Sequence, residues 1–134
     1  VAMVMERGIQ AKEARLLDIH KPPDGIGGEY DLVITSGIMI HVKPDLHNAG
    51  IAELVRLSSS FILLIEYYNH ELVWNGHLGS RDFGKVLEEV GCVIISHGRV
   101  VDLGFGDEMS GSYFWLAEVG NKDVPTAHKE IYGW

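Results

Sequence analysis

A single cysteine, Cys92, stands in 134 residues, so the chain can close no internal disulfide and build no multi-cysteine zinc site. Proline is almost as scarce, with four residues, two of them adjacent at Pro22 and Pro23. Long apolar runs are missing. None is longer than that at residues 61–65, far below the roughly 20 residues needed to cross a bilayer. Runs of Lys or Arg are absent too. The 11 basic residues face 19 acidic ones, and a formal charge of −8 disfavours non-specific contact with phosphate backbones or anionic membranes. No nucleic-acid or membrane partner is therefore expected. Residues 1–5 are too short for a signal peptide and lack a basic start, and helix-like sequence begins at Val1 with no leader. A soluble, cytoplasmic protein is the expectation.

Apolar residues make up 46% and charged ones 22%, the composition of a globular domain that buries its own core. One domain over 1–134 is expected by size, with residues 121–134 an irregular tail. Residues 1–7 have helical character stopped at Gly8, and residues 14–18 allow a strand. Pro22, Pro23 and Gly25 through Gly28 form a loop. Residues 30–35 are short, β-branched and apolar on both faces, as in a buried parallel strand. Pro44 and Asp45 suit the start of a helix in which Ile51, Leu54, Val55 and Ser58 share a face. Residues 61–66 read as a second buried strand. Ser80 is the expected cap of a second helix, whose Phe83, Val86, Leu87 and Val90 recur at helical spacing before Gly91 ends it. Residues 92–96 read as a third strand, with an extension over residues 99–103 as an option, and residues 113–119 as the last. Two strand–helix–strand units in succession predict an α/β domain with a mostly parallel sheet, closed by a C-terminal antiparallel hairpin.

The tempting motifs fail on context. Gly25, Gly27 and Gly28 precede a strand, and Gly104 and Gly106 lie between strands. A phosphate-binding turn must instead follow a strand and open a helix. Seven histidines invite a metal, yet His41/His47 and His70/His77 lack a helical two-ligand spacing, so no metal site is assigned. Cys92 opens an apolar strand and reads as core. No Gly-x-Ser-x-Gly elbow surrounds any serine. What remains is positional, because open parallel sheets bind ligands at the carboxyl ends of their strands. Those ends read Asp18, Ile19 and His20, then residues 36–41, then Glu66, Tyr67, Tyr68 and Asn69. The bland reading of the two tyrosines is core packing with hydroxyls at the rim, and Asp18 can simply cap a turn.

The stretch Tyr30-Asp31-Leu32-Val33-Ile34-Thr35-Ser36-Gly37, continuing through Ile40 and His41 to Val42, resembles the fourth-strand motif of class I S-adenosylmethionine-dependent methyltransferases. Glu66-Tyr67-Tyr68-Asn69, followed by Gly76-His77 and Arg81-Asp82-Phe83, is similar to the methylase family associated with pseudaminic acid biosynthesis. Phe114-Trp115-Leu116 fits that family's last strand, and the likeness spans residues 18–119. The resemblance implies a Rossmann-like sheet, S-adenosylmethionine as cofactor and a small-molecule acceptor, such as a sugar or nucleotide-sugar. It implies that Asp18 accepts from the adenine amino group while Ile19 packs on the ring. Ser36 and Gly37 would pass the methionine part, and Ile40 and His41 would floor the sulfonium. Tyr67, Tyr68, Asn69, His77 and Arg81 would face the acceptor, the Arg81 guanidinium suiting an anionic group. A hydroxyl acceptor needs a base, with His41 and Glu66 as the candidates.

The family begins with a strand, a Gly-rich turn, a helix and a second strand ending in an acidic residue, and neither motif is present here. The resemblance, whose sheet order is 3-2-1-4-5-7-6, therefore implies a fold truncated at its N-terminus, without strands 1 and 2. The strand at residues 30–35 is left with an open apolar edge that invites pairing with the segment near Asp18 or with a second chain. Two functions follow: the C-terminal portion of a methyltransferase, or a non-catalytic module that dimerises through that edge. A third is an unrelated α/β enzyme working through its His and Glu residues with a metal.

Overall fold

The computed structural model describes residues 30–68, 75–76, 79, 81–104 and 109–120. The expected segments at residues 1–7 and 14–18, the proline loop and the tail at 121–134 lie outside these. Four strands form one sheet in the order β1-β2-β4-β3. They are β1 (Tyr30–Ser36), β2 (Ser58–Tyr67), β3 (Val93–Arg99) and β4 (Ser112–Glu118), with helices α1 (His47–Leu57) and α2 (Phe83–Glu89) as the connections out of β1 and β2.

Leu32, Val33 and Ile34 place β-branched and apolar side chains on both faces of β1, which runs parallel to β2 from Leu32↔Phe61 to Ser36↔Ile65. The last strand, β4, inserts antiparallel between β2 and β3, so that Leu64 faces Trp115 and His97 faces Trp115 from the other side. Three strands thus share one direction and the C-terminal strand opposes them, as expected. This is a mixed α/β sheet, and its order is the 4-5-7-6 portion of the sheet that the resemblance implies. β1 forms the edge of the described sheet, and its Tyr30, Leu32 and Ile34 are 44%, 44% and 54% exposed.

Both helices pack on one face. Ile51, Leu54, Phe83, Val86 and Leu87 meet Ile62, Leu64, Trp115 and Ala117 there, all nine-tenths or more buried. Along β2 the alternation is clean: Ile62, Leu64 and Glu66 turn into this core, while Phe61 and Tyr67 face away. The helical spacing of Phe83, Val86, Leu87 and Val90 therefore marks the buried stripe correctly.

Several boundaries differ from expectation, and Ser58, expected on the helix face, instead opens β2. Pro44–Leu46 forms a 3₁₀ turn closed by Leu46 N–H to the Lys43 carbonyl (2.9 Å), and the α-helix begins only at His47. Tightening of a first turn is common where proline fixes the backbone. The cap of α2 is Asp82, whose Oδ1 accepts from Gly84 N–H at 3.0 Å, and Ser80 lies outside the described residues. Past Arg99 the chain coils into a 3₁₀ turn, Val100–Leu103, rather than extending, with the Arg99 guanidinium gripping Asp102. At the far end of α2, Gly91 N–H donates to the Glu88 carbonyl and Cys92 N–H to that of Leu87, the two bonds of a Schellman stop.

Candidate functional site

The parallel pairing of β1 with β2 brings two carboxyl ends together, Ser36 beside Ile65. The ladder gains one more bond, Gly37 N–H to the Ile65 carbonyl at 2.9 Å, and then stops. Gly37 turns the chain at φ +65°, a conformation that costs other L-residues free energy. A Cβ built there would meet no described residue within 4 Å, so among the described residues the tip of β1 is open.

Beyond Gly37 the chain folds back over the strand ends. Met39–His41 make a 3₁₀ turn, with Val42 N–H donating to the Met39 carbonyl at 3.1 Å. The Met39 side chain is fully buried and anchors the turn, leaving Ile40 half-buried and His41 exposed above it. Gly79 N–H donates to the Ile40 carbonyl at 2.8 Å, which ties the segment after β2 to the same turn. Ser36 and Gly37 therefore end β1, and Ile40 and His41 sit on the 3₁₀ turn that follows it.

Glu66, the other candidate base, points elsewhere. It is 1% exposed, and its Oε1 accepts from Thr35 Oγ1 (3.2 Å), Ile38 N–H (3.2 Å) and Met39 N–H (3.0 Å). Burial pushes its carboxyl above the ordinary range, against the pull of those donors and of the Ile40 amide. The neighbouring buried group, His47, escaped the sequence reading because its pairing with His41 looked only like a failed metal motif. Its Nε2 lies 3.0 Å from the Met39 carbonyl, and Phe83 stacks edge-on at 5.0 Å. Burial holds its pKa below the usual value, and nearby Arg81 adds to that, while the Met39 and Val42 carbonyls and Asp45 oppose it. A polar residue inside an otherwise apolar helix face was the available signal.

The two tyrosines separate to opposite faces. Tyr67 is partly exposed on the side away from the helices. Tyr68 turns toward them, its ring meeting Tyr113 at 5.1 Å and Trp115 at 6.0 Å. There it lines a cleft of about 640 Å³ with Asp82, Lys85, His97 and Tyr113. Arg81 reaches back to the 3₁₀ turn before α1, with Nη1 3.4 Å from the Pro44 carbonyl. Asp18, Ile19, Asn69 and His77 lie outside the described residues. Among the described residues no three His, Cys, Asp or Glu side chains are placed to hold a metal, and no helix is long and apolar enough to cross a membrane.

No family model and no curated protein matches the chain. Solved structures do. A magnesium protoporphyrin IX methyltransferase from Synechocystis with bound S-adenosylmethionine aligns with a TM-score of 0.52 and 21% identity, covering 70% of this chain and 41% of that one. A Burkholderia thailandensis 1,6-didemethyltoxoflavin-N1-methyltransferase, with its toxoflavin precursor and S-adenosylhomocysteine bound, aligns with a TM-score of 0.56 and 14% identity over 72% and 46% of the two chains. The [4+2]-cyclase SpnF aligns with a TM-score of 0.62 and 11% identity over 87% and 60%. The chain thus spans 41–60% of the length of these structures. Identities this low establish the fold, and the cyclase among them shows that the fold alone does not fix the reaction.

Proposed function

We propose that the chain forms part of an S-adenosylmethionine-dependent methyltransferase acting on a small molecule, with the methionine end of the cofactor lying along the tip of β1. The observation that carries this reading is the open, small-residue tip at Ser36 and Gly37, set beside the carboxyl end of β2 in a sheet ordered β1-β2-β4-β3. The bound S-adenosylmethionine and S-adenosylhomocysteine of two structural neighbours support it.

The cofactor supplies an already activated methyl sulfonium, so the protein contributes alignment and exclusion of water. Ser36 and Gly37 let the ligand approach the backbone closely, and Ile40 and His41 form the surface beneath the reacting centre. Asp18 and Ile19 take the adenine end. The acceptor meets one of Tyr67 and Tyr68, which face opposite sides of the sheet, together with Asn69, His77 and Arg81. When the acceptor is a hydroxyl, His41 removes the proton, being exposed at the tip where Glu66 is enclosed. A sugar or nucleotide-sugar as acceptor, as in the pseudaminic acid-associated methylases, rests on the Glu66-Tyr67-Tyr68-Asn69 and Arg81-Asp82-Phe83 likeness.

The test is transfer of a labelled methyl group from S-adenosylmethionine to a panel of sugars and nucleotide-sugars, with wild type compared to His41→Ala. Labelled product is expected, falling about a hundredfold or more in the variant, the usual contribution of a positioned base. A folded wild-type protein that transfers no label, or one in which His41→Ala turns over at the wild-type rate, contradicts the reading.

A further inference from the structure

We infer that Glu66 and His47 are a pair of buried positioning residues that clamp the Met39 peptide from both sides and so fix Ile40 and His41 over the ends of β1 and β2. The inference rests on the proposed role of residues 36–41 and adds how that segment is held.

The Met39 N–H donates to Glu66 Oε1 at 3.0 Å, and the Met39 carbonyl receives His47 Nε2 at 3.0 Å. Met39, Glu66 and His47 are each at most 1% exposed. One residue of an irregular turn is thereby tied to a strand, β2, and to a helix, α1, through charged or polar side chains rather than through a ladder. The turn requires such partners. Outside a strand or α-helix, the buried Met39 N–H and the partly buried Ile38 N–H have no regular acceptor, and leaving the Met39 N–H unpaired would cost more than supplying one. Glu66 Oε1 serves both, and Thr35 Oγ1 holds that oxygen in place from β1.

A base that must reach an acceptor cannot be committed in this way. Among the described residues, the remaining polar atoms, Glu66 Oε2 and His47 Nδ1, are buried without a hydrogen bond of good geometry, the Ile40 amide and the Val42 carbonyl lying only nearby. Keeping two such groups in an apolar core costs stability that a leucine would not. Their presence points to a geometry worth that cost, and the residues whose geometry they set are the next two in the chain, Ile40 and His41. Because a carbonyl can only accept, the 3.0 Å contact places a proton on His47 Nε2.

Amide hydrogen exchange on wild type, Glu66→Gln, Glu66→Met, His47→Gln and His47→Leu tests the inference. Glutamine keeps the acceptor oxygen of Glu66 and the amide donor of His47, whereas Met and Leu remove them. The Ile38 and Met39 amides in Glu66→Met, and the turn amide of Val42 in His47→Leu, should lose protection roughly ten- to hundredfold beyond the core amides of Ile62 and Leu64. The glutamine variants should recover most of it, and long-range ¹H–¹⁵N spectra should show the Nε2–H tautomer of His47. Equal loss across turn and core, glutamine variants as open as Met and Leu, or an Nδ1–H tautomer would overturn it. A parallel titration with S-adenosylhomocysteine separates this inference from the function. A wild type that does not bind contradicts the methyltransferase reading alone. Unchanged affinity in Glu66→Met and His47→Leu contradicts the positioning role alone.

Discussion

The Thr35 hydroxyl on β1 donates across the parallel pair to the buried Glu66 carboxylate on β2 at 3.2 Å. The bond joins the last buried residue of one strand to that of the next, directly beneath the turn that carries Ile40 and His41. Thr35→Val preserves shape and removes the donor. It should destabilise the protein by about 1–2 kcal/mol in denaturant unfolding, and Thr35→Ser should restore most of that, since a hydrogen bond to a charged acceptor is worth about this much. Equal stability of Thr35→Val and wild type would show that the contact contributes nothing.

The buried His47 and Glu66 give opposite pH signatures. Burial lowers the His47 pKa, so below its ordinary value of 6.5 the unfolded chain binds a proton that the folded one refuses. The His47 contribution is therefore present above pH 6.5 and lost as the pH falls through the depressed folded value. Glu66 is raised from 4.5 by burial, so its contribution is full below that value and lost as the pH rises through the raised folded one. The stability difference between wild type and His47→Gln should accordingly shrink as the pH drops below 6.5, and that between wild type and Glu66→Gln should shrink as it climbs above 4.5. Urea unfolding at a series of pH values reads both slopes, and a flat His47→Gln difference contradicts the burial assignment.

Gly84 is a packing requirement. A Cβ there would lie 2.8 Å from both Cδ1 and Nε1 of Trp115 and 3.0 Å from Asp82 Oδ1, with the indole itself only 4% exposed and held between Tyr113 and Phe83. Gly84→Ala should cost about 1–3 kcal/mol through overpacking, despite the better helix propensity of alanine. A denaturation midpoint at or above wild type would mean that α2 shifts freely on the sheet.

Cys92 offers a clean probe because it is the sole thiol. It is 6% exposed, and burial pushes its pKa up to about 11. A thiol titration at neutral pH should find it inert in the folded protein and fully reactive in denaturant. Rapid native labelling would place residue 92 outside the core.

Much of this was legible in the sequence because it rests on local pattern. The spacing of Phe83, Val86, Leu87 and Val90 announces a buried helix face, and the apolar residues at 61–65 announce the central strand. The candidate site was half legible. Ser36, Gly37, Ile40 and His41 follow from the rule that strand ends bind, together with a family likeness. What neither supplied was direction. Glu66 looks in sequence like one more polar residue at a strand end, beside two tyrosines. Only the alternation of β2, combined with the way residues 38–41 fold back, turns it inward onto backbone amides 27 and 28 residues away. His47 needed the same non-local contact, eight residues back at Met39, to become meaningful.

The most direct measurement is a map of backbone amide shifts as S-adenosylhomocysteine is titrated into the protein. Movements concentrated at Ser36, Gly37, Ile40 and His41, with the α2 amides still, are the predicted result. No movement at saturating nucleoside, or movement centred on the Asp82, Lys85 and His97 cleft, would contradict a methyl-donor pocket at the tip of β1.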